Sequence, residues 1–160
     1  MGPVTLEPIT AATRARCAAV AVFDDQRRFV APVADYLALC DGEDAWTPLA
    51  VCCGGAIVGF AMWGFDAGEG SHWIGGVVID RAHQGRGVGR AAMRRLIGRL
   101  SATPGCCQIA LSVHPENRAA RRLYRSLGFA ETGERTDDGE IVARMAITRS
   151  NATGPPHRRA

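Results

Sequence analysis

The chain has 160 residues, 47% of them apolar and 22% charged, with a formal net charge of +3. That size and balance read as one soluble globular domain large enough for its own core. They speak against a membrane-spanning chain, because no apolar run is long enough to cross a bilayer, and the mild, dispersed charge calls for no nucleic-acid partner.

In chain order, residues 3–9 alternate between Pro3 and Pro8 and read as an edge strand. Thr10 is placed to cap a helix from Ala11 to about Phe23, broken by Asp24-Asp25-Gln26. Pro32 disfavours helix at Ala31, so the segment from Gln26 is a bend, followed by a helix over Val33 to Cys40. Two apolar runs, 47–53 and 56–65, flank Gly54-Gly55 and predict a hairpin. A glycine-bearing turn over Asp66 to Gly70 leads into a strand from Ser71 to Asp80. A helix beginning near Val88 ends at Thr103-Pro104-Gly105, and Cys107 to Val113 alternates as a strand. Asn117 to Leu127 is a helix closed by Gly128, and 129–135 with 140–148 form a last hairpin around Asp137-Asp138-Gly139.

Residues 1–148 are thus expected to be a single domain, and residues 149–160, with their Pro-Pro pair, a disordered tail. The six cysteines form neither C-x-x-C nor a zinc-ligand spacing. They are expected to be mostly buried, reduced thiols of a cytoplasmic protein, with no metal site. If the adjacent pairs Cys52-Cys53 and Cys106-Cys107 lie in strands, each pair points to opposite faces. The start of the chain lacks a basic region followed by an apolar run, so no signal peptide is expected.

The richest stretch is 77–100. An apolar strand, Val77-Val78-Ile79, ends at Asp80 and passes into Gln84-Gly85-Arg86-Gly87-Val88-Gly89-Arg90. A helix follows with apolar positions Val88, Ala92, Met93, Leu96, Ile97 and Leu100, and arginines between them. Glycines let successive N–H groups converge on one spot, and the helix dipole adds positive potential, so this is an anion site. Arg86 and Arg90 supply formal charge beside it. A Walker loop is absent, because no Lys-Ser/Thr pair follows the glycines, and no acidic residue stands where a dinucleotide fold needs it.

A second pattern lies at 111–129. Asn117, Ala120, Tyr124 and Gly128-Phe129 recur at fixed offsets, and Asn117 and Tyr124, two turns apart, share a helical face. Asn117 also suits a plain helix N-cap, and the two roles are compatible.

Together the Gln-Gly-x-Gly-x-Gly loop and the Asn117–Phe129 pattern resemble the GNAT N-acetyltransferase superfamily over residues 4–148. Within it, Gln26-x-x-Phe29-Val30-Ala31-Pro32, Gly59 to Gly64 and Leu111-Ser112-Val113 make the chain most similar to bacterial diamine and polyamine (spermine/spermidine) N-acetyltransferases. The resemblance implies an α/β (α+β) fold: a mixed sheet of about seven strands with helices on both faces. Two parallel strands would splay to admit acetyl-CoA. It implies transfer of an acetyl group from acetyl-CoA to a primary amine, a diamine or polyamine such as spermidine or spermine, with Tyr124 as the general acid.

By the same resemblance, Val77, Val78, Ile79, Gln84, Gly85, Arg86, Gly87, Val88, Gly89, Arg90, Asn117 and Arg121 would hold the cofactor. The oxyanion would meet the backbone N–H of Val78 or Ile79. Asp25, Gln26, Phe29, Glu69 and His72 would lie toward the acceptor. Gly75-Gly76 occupies strand positions where that subgroup often carries an acid, so the base is unassigned, with Asp25, Glu69, His72 and His114 as candidates. Two other acceptors stay open, a protein N-terminus or lysine and an amine antibiotic, as does a non-catalytic acyl-CoA-binding module. Relatives often dimerise, which leaves a homodimer open; no membrane partner is implied.

Overall fold

The computed structural model describes residues 2–148; the tail expected at 149–160 lies outside them. Its elements are β1 (Val4–Pro8), α1 (Ala11–Ala18), α2 (Val33–Gly42), β2 (Trp46–Cys53), β3 (Ala56–Asp66), β4 (Ser71–Ile79), α3 (Val88–Ser101), β5 (Gln108–Val113), α4 (Arg118–Ser126), β6 (Ala130–Arg135) and β7 (Ile141–Ala146). The strands form one seven-stranded sheet in the order β1-β2-β3-β4-β5-β7-β6. All pairs are antiparallel except β4 with β5.

Alternation sorts the sheet's side chains onto two faces. On one, Cys17 of α1 and Val33 and Leu37 of α2 pack with Ala50, Cys52, Phe60, Met62 and Val78. On the other, α3 lays Val88, Ala92, Met93, Leu96 and Leu100 against Leu49, Val51, Ile74, Ile109 and Leu111. Those α3 side chains, each worth about 1.5–3 kcal/mol for the larger ones, anchor the glycine loop's helix firmly. By contrast α4 has no fully buried residue, and leans on the core through Tyr124 and Leu127. Cys52 and Cys53 do face opposite ways, one into each cluster, and all six cysteines are free thiols. No helix among the described residues is long and apolar enough to cross a membrane.

The first helix is shorter than its pattern predicts. It ends at Ala18 rather than near Phe23, because the next backbone groups find partners elsewhere. The Ala21 N–H donates to the Asp80 carboxylate at 3.1 Å, and the Ala21 carbonyl accepts from the Arg81 N–H at 2.8 Å. These bonds tie the chain after α1 to the end of β4, and a 3₁₀ turn over Asp24–Gln26 follows.

Two irregularities open the sheet. In the β3–β4 ladder Phe60 faces Val78 but Met62 faces Gly75, so β4 carries one extra residue, a bulge. Gly76 sits there at φ +55°, which a residue with a side chain rarely adopts. Beyond it, β4 and β5 part. Their parallel register runs His72–Ile109, Trp73–Ala110, Ile74–Leu111 and stops, while β4 continues to Ile79 and β5 to Val113. On its other edge β5 stays paired with β7 as far as Val113–Ile141. The wedge between β4 and β5 therefore has firm banks.

Candidate active site

Which backbone groups the wedge exposes follows from parity. The Asp80 N–H donates to the Val58 carbonyl of β3 at 2.8 Å. Alternation puts the Val78 N–H on that same edge and turns the N–H groups of Val77 and Ile79 toward the wedge. The Ile79 carbonyl on that side accepts from the Gln84 amide at 2.9 Å.

The loop after β4 is built to leave donors free. The Asp80 carboxylate accepts from the Ala82 N–H at 2.9 Å and fixes a 3₁₀ turn over Arg81–His83. Gly85 and Gly87 then adopt φ +72° and +79°, and a Cβ at either would meet nothing within 4 Å. Glycine is thus required there by backbone conformation, and the space above is open. Gly87 is the N-cap of α3 and offers no side chain to cap it, so the first-turn N–H groups face an open groove.

That groove has a volume of about 650 Å³. Val77, Val78, Ile79, Gln84, Gly85 and Gly87 through Arg90 form one bank; Asn117, Ala120 and Tyr124 form the other. Asn117 caps α4, its side-chain oxygen accepting from the Ala120 N–H at 3.3 Å, and it lines the groove as well. Capping and groove lining thus coexist at one residue.

A second chamber of about 370 Å³ opens on the far side. Its walls include Tyr36, Trp46, Met62, Trp73, Ser112 and Glu140. The two cavities share Phe29, Val30, Val77, Asn117, Ala120 and Tyr124, so Tyr124 stands where they meet. Its ring packs edge-on to Phe129, with centroids 6.2 Å apart. Burial pushes its hydroxyl up to about 12, helped by the charge of Glu140 and by Tyr36, so it holds its proton through the neutral range.

Several residues singled out in the sequence stand elsewhere. Asp25 and Gln26 line the groove rather than the second chamber, while Phe29 lines both. The Gln26 side chain is paired with that of Gln84. Arg86 is not among the residues that line the groove. Arg121 turns away: its guanidinium donates to both carboxylate oxygens of Glu131, at 2.8 and 2.9 Å, and to the Pro115 carbonyl. Glu69 is held by Arg144 at 3.2 Å and accepts from the Trp73 indole at 3.1 Å. His72 is buried beside the rings of Trp63 and Phe65, and burial lowers its proton affinity. Neither Glu69 nor His72 lines the chamber or the groove.

The sequence did not point to Tyr36, Trp46, Trp73, Ser112 or Glu140 as chamber residues. Their signals are ordinary: aromatics in apolar runs, and an acid after a turn. Only the insertion of β7 beside β5 brings Glu140 to the chamber. Among the described residues, no group of three His, Cys, Asp or Glu side chains could hold a metal ion.

Comparison with known proteins gives a consistent picture. The family profile described as Acetyltransferase (GNAT) family matches residues 16–129. The spermine/spermidine N(1)-acetyltransferase of Bacillus subtilis (strain 168) is 35% identical over 103 residues, 61% of this chain and 68% of that protein. The N-alpha-acetyltransferase RimI of Mycobacterium tuberculosis is 29% identical over 96% of both chains. A crystal structure of an aminoglycoside acetyltransferase in complex with coenzyme A shares the fold, with TM-score 0.76 and 21% identity over 89% of this chain and 94% of that one.

Proposed function

The chain belongs to the GNAT family of acetyltransferases, and on that premise we propose that it moves the acetyl group of acetyl-CoA onto the primary amine of a diamine or polyamine, within the single domain 1–148. The observation that carries this is the meeting of groove and chamber at Tyr124. A bisubstrate reaction needs two entrances and one shared point, and Tyr124 stands at that point.

The groove fits the co-substrate. The glycine loop and open N-terminus of α3 suit a pyrophosphate, with Arg90 beside them. The pantetheine arm would run between Val77–Ile79 and Asn117. Its amides match backbone groups that β5 leaves unpaired, and the Asn117 side chain offers a further partner. Of the two donors expected for a developing oxyanion, the N–H of Ile79 would serve from the wedge; that of Val78 is turned to β3 by strand alternation, and Val77 would take its place. When the amine has attacked and the C–S bond breaks, Tyr124 supplies the proton that the leaving thiolate needs.

The polyamine reading is supported by the 35% identity to a spermine/spermidine acetyltransferase and by the chamber's aromatic walls of Tyr36, Trp46 and Trp73, which suit a cationic alkyl chain. Thiol release from acetyl-CoA, followed with spermidine, spermine, putrescine, aminoglycosides, amino acids and short peptides, tests it. Release with the polyamines above the rest supports the proposal. Release only with a peptide N-terminus or an aminoglycoside moves the acceptor to that class. Silence throughout, with acetyl-CoA still raising the melting temperature, leaves a binding module.

A further inference from the structure

The proton that the acceptor must lose has several candidate takers in the sequence and no assigned one. An alkyl ammonium has a pKa near ~10.4 and cannot attack until it is neutral. The β4 strand offers no carboxylate at the chamber wall, and the structure gives the reason. A Cβ on Gly75 would stand 3.1 Å from the Met62 methyl and 3.3 Å from the Trp46 ring, and one on Gly76 would stand 3.2 Å from Tyr36. Aromatic rings fill the space that an acidic side chain on β4 would need.

The last hairpin fills the gap. Among the described residues Glu140 is the one carboxylate that lines the chamber. It immediately precedes β7, whose first residue Ile141 pairs with Val113 at the splayed end of β5. The turn before it is pinned: the Thr136 N–H donates to the Glu140 carbonyl at 3.0 Å, and the Glu140 N–H donates to the Thr136 hydroxyl at 3.0 Å. The Ser112 hydroxyl donates to one carboxylate oxygen of Glu140 at 2.5 Å. One oxygen is thereby fixed, in a residue that lines the chamber. The competing candidates are engaged elsewhere: Glu69 with Arg144, His72 between rings, Asp25 in the groove. His114 lines the chamber, but its Nδ1 accepts from the Glu116 N–H at 3.1 Å.

We propose that Glu140 receives the reacting ammonium of the acceptor and takes its proton, which makes a cationic primary amine the substrate class. The inference rests on the acetyltransferase reading above. In the step, the ammonium gives one proton to the Glu140 carboxylate, and its freed electron pair forms the C–N bond at the thioester carbonyl. The C–S bond breaks, sulfur keeps the electron pair, and the Tyr124 hydroxyl proton moves to it. The phenolate then takes the second proton from the new amide nitrogen. Glu140 sheds its proton to solvent. Nitrogen loses two protons, of which one ends on the thiol and one in water.

The test is Glu140→Gln, which keeps the shape and an acceptor for Ser112, measured with saturating acetyl-CoA and spermidine, or with the fastest amine of the panel. Tyr36, His114 and Tyr124 also face the chamber and are identical in both proteins. Asp138→Asn, in the same turn and exposed, serves as the control. At pH 7 the Gln variant should lose kcat by about 100-fold or more, with its acetyl-CoA affinity and melting temperature kept. Without the carboxylate only amine that is already neutral reacts. Its kcat/KM should therefore climb about tenfold per pH unit toward the amine's own pKa, and the deficit should shrink. An undiminished kcat, a rise in KM alone, or a deficit constant across pH overturns the assignment while leaving the acetyltransferase reading intact. A wild-type protein that acetylates no amine overturns both.

Discussion

Gln26 and Gln84, 58 residues apart, exchange two amide hydrogen bonds of 2.9 Å each, and Gln84 adds a third to the Ile79 carbonyl. One side chain thus ties the glycine loop to the end of β4 and to the turn after α1. Gln26 is itself fixed, its carbonyl oxygen accepting from the Phe23 N–H at 3.2 Å. The first residue of the loop is a brace that holds it to its neighbours.

Gln84→Leu should remove all three bonds and leave a part-buried amide on Gln26 without its partner. At about 0.5–1.5 kcal/mol for each bond, the loop should lose definition. Acetyl-CoA affinity should fall by about tenfold, with a lower melting temperature. Gln26→Leu keeps the bond to Ile79 and should cost affinity less. Calorimetric titration of both variants with coenzyme A checks the order.

At Gly87 two substitutions separate strain from charge. Gly87→Ala meets no neighbour within 4 Å but must hold φ +79°, a cost of about 1–2 kcal/mol. Gly87→Glu carries similar strain and adds a negative charge at the start of α3. That charge favours the helix dipole, yet repels a pyrophosphate. The Glu variant should melt no lower than the Ala variant, while acetyl-CoA binding is weakened in Ala and abolished in Glu. Thermal melts with and without coenzyme A show whether the two effects part in this way.

Much of this architecture was legible because its signals are local. The strand–loop–helix unit at 77–100 has periodicity and glycines that meet positive φ at Gly85 and Gly87. The hairpin at Gly54-Gly55 and the cap at Asn117 are equally local. What was not legible depends on partners far along the chain. Helix α1 stops early because Asp80 and Arg81 capture Ala21. Arg121 is taken by Glu131, and Glu69 by Arg144, pairs that no spacing announces. Glu140 reaches the chamber only because β7 lies between β5 and β6. The same dependence explains the two glycines of β4, whose meaning is set by Trp46, Met62 and Tyr36 across the sheet.

His72 makes stability depend on pH. It is 5% exposed and its Nδ1 has no partner. Burial lowers its folded pKa below the ordinary value. Below pH ~6.5 the unfolded chain therefore binds a proton that the folded one resists, and stability falls as pH falls through that value. The loss is at most about 1.4 kcal/mol per pH unit, or about 3–6 °C of melting temperature for a domain of this size. His72→Phe, beside Trp63 and Phe65, removes the titrating group. Melting curves at pH 7.5 and 5 should show a smaller drop for the variant; equal drops would exclude His72 as a source.

Tyr124 is held protonated by burial first and by Glu140 and Tyr36 second, at about 12. A free tyrosine would lose its proton near pH ~10 and fail as an acid there. In this protein the acid limb is displaced upward, so kcat with saturating substrates should show no fall up to pH ~10.5 that comes from Tyr124. Tyr124→Phe keeps the ring that packs on Phe129 and removes the proton. It should lower kcat by about ten- to a thousandfold, overlapping the lower part of the roughly 10²–10⁴ that a general acid typically contributes, while the affinity for acetyl-CoA is nearly kept. An acetyl donor with a better leaving group than the coenzyme A thiol would need less help from the acid. The deficit of Tyr124→Phe should narrow with such a donor; an equal deficit with both would mean that Tyr124 shapes the junction without giving up its proton.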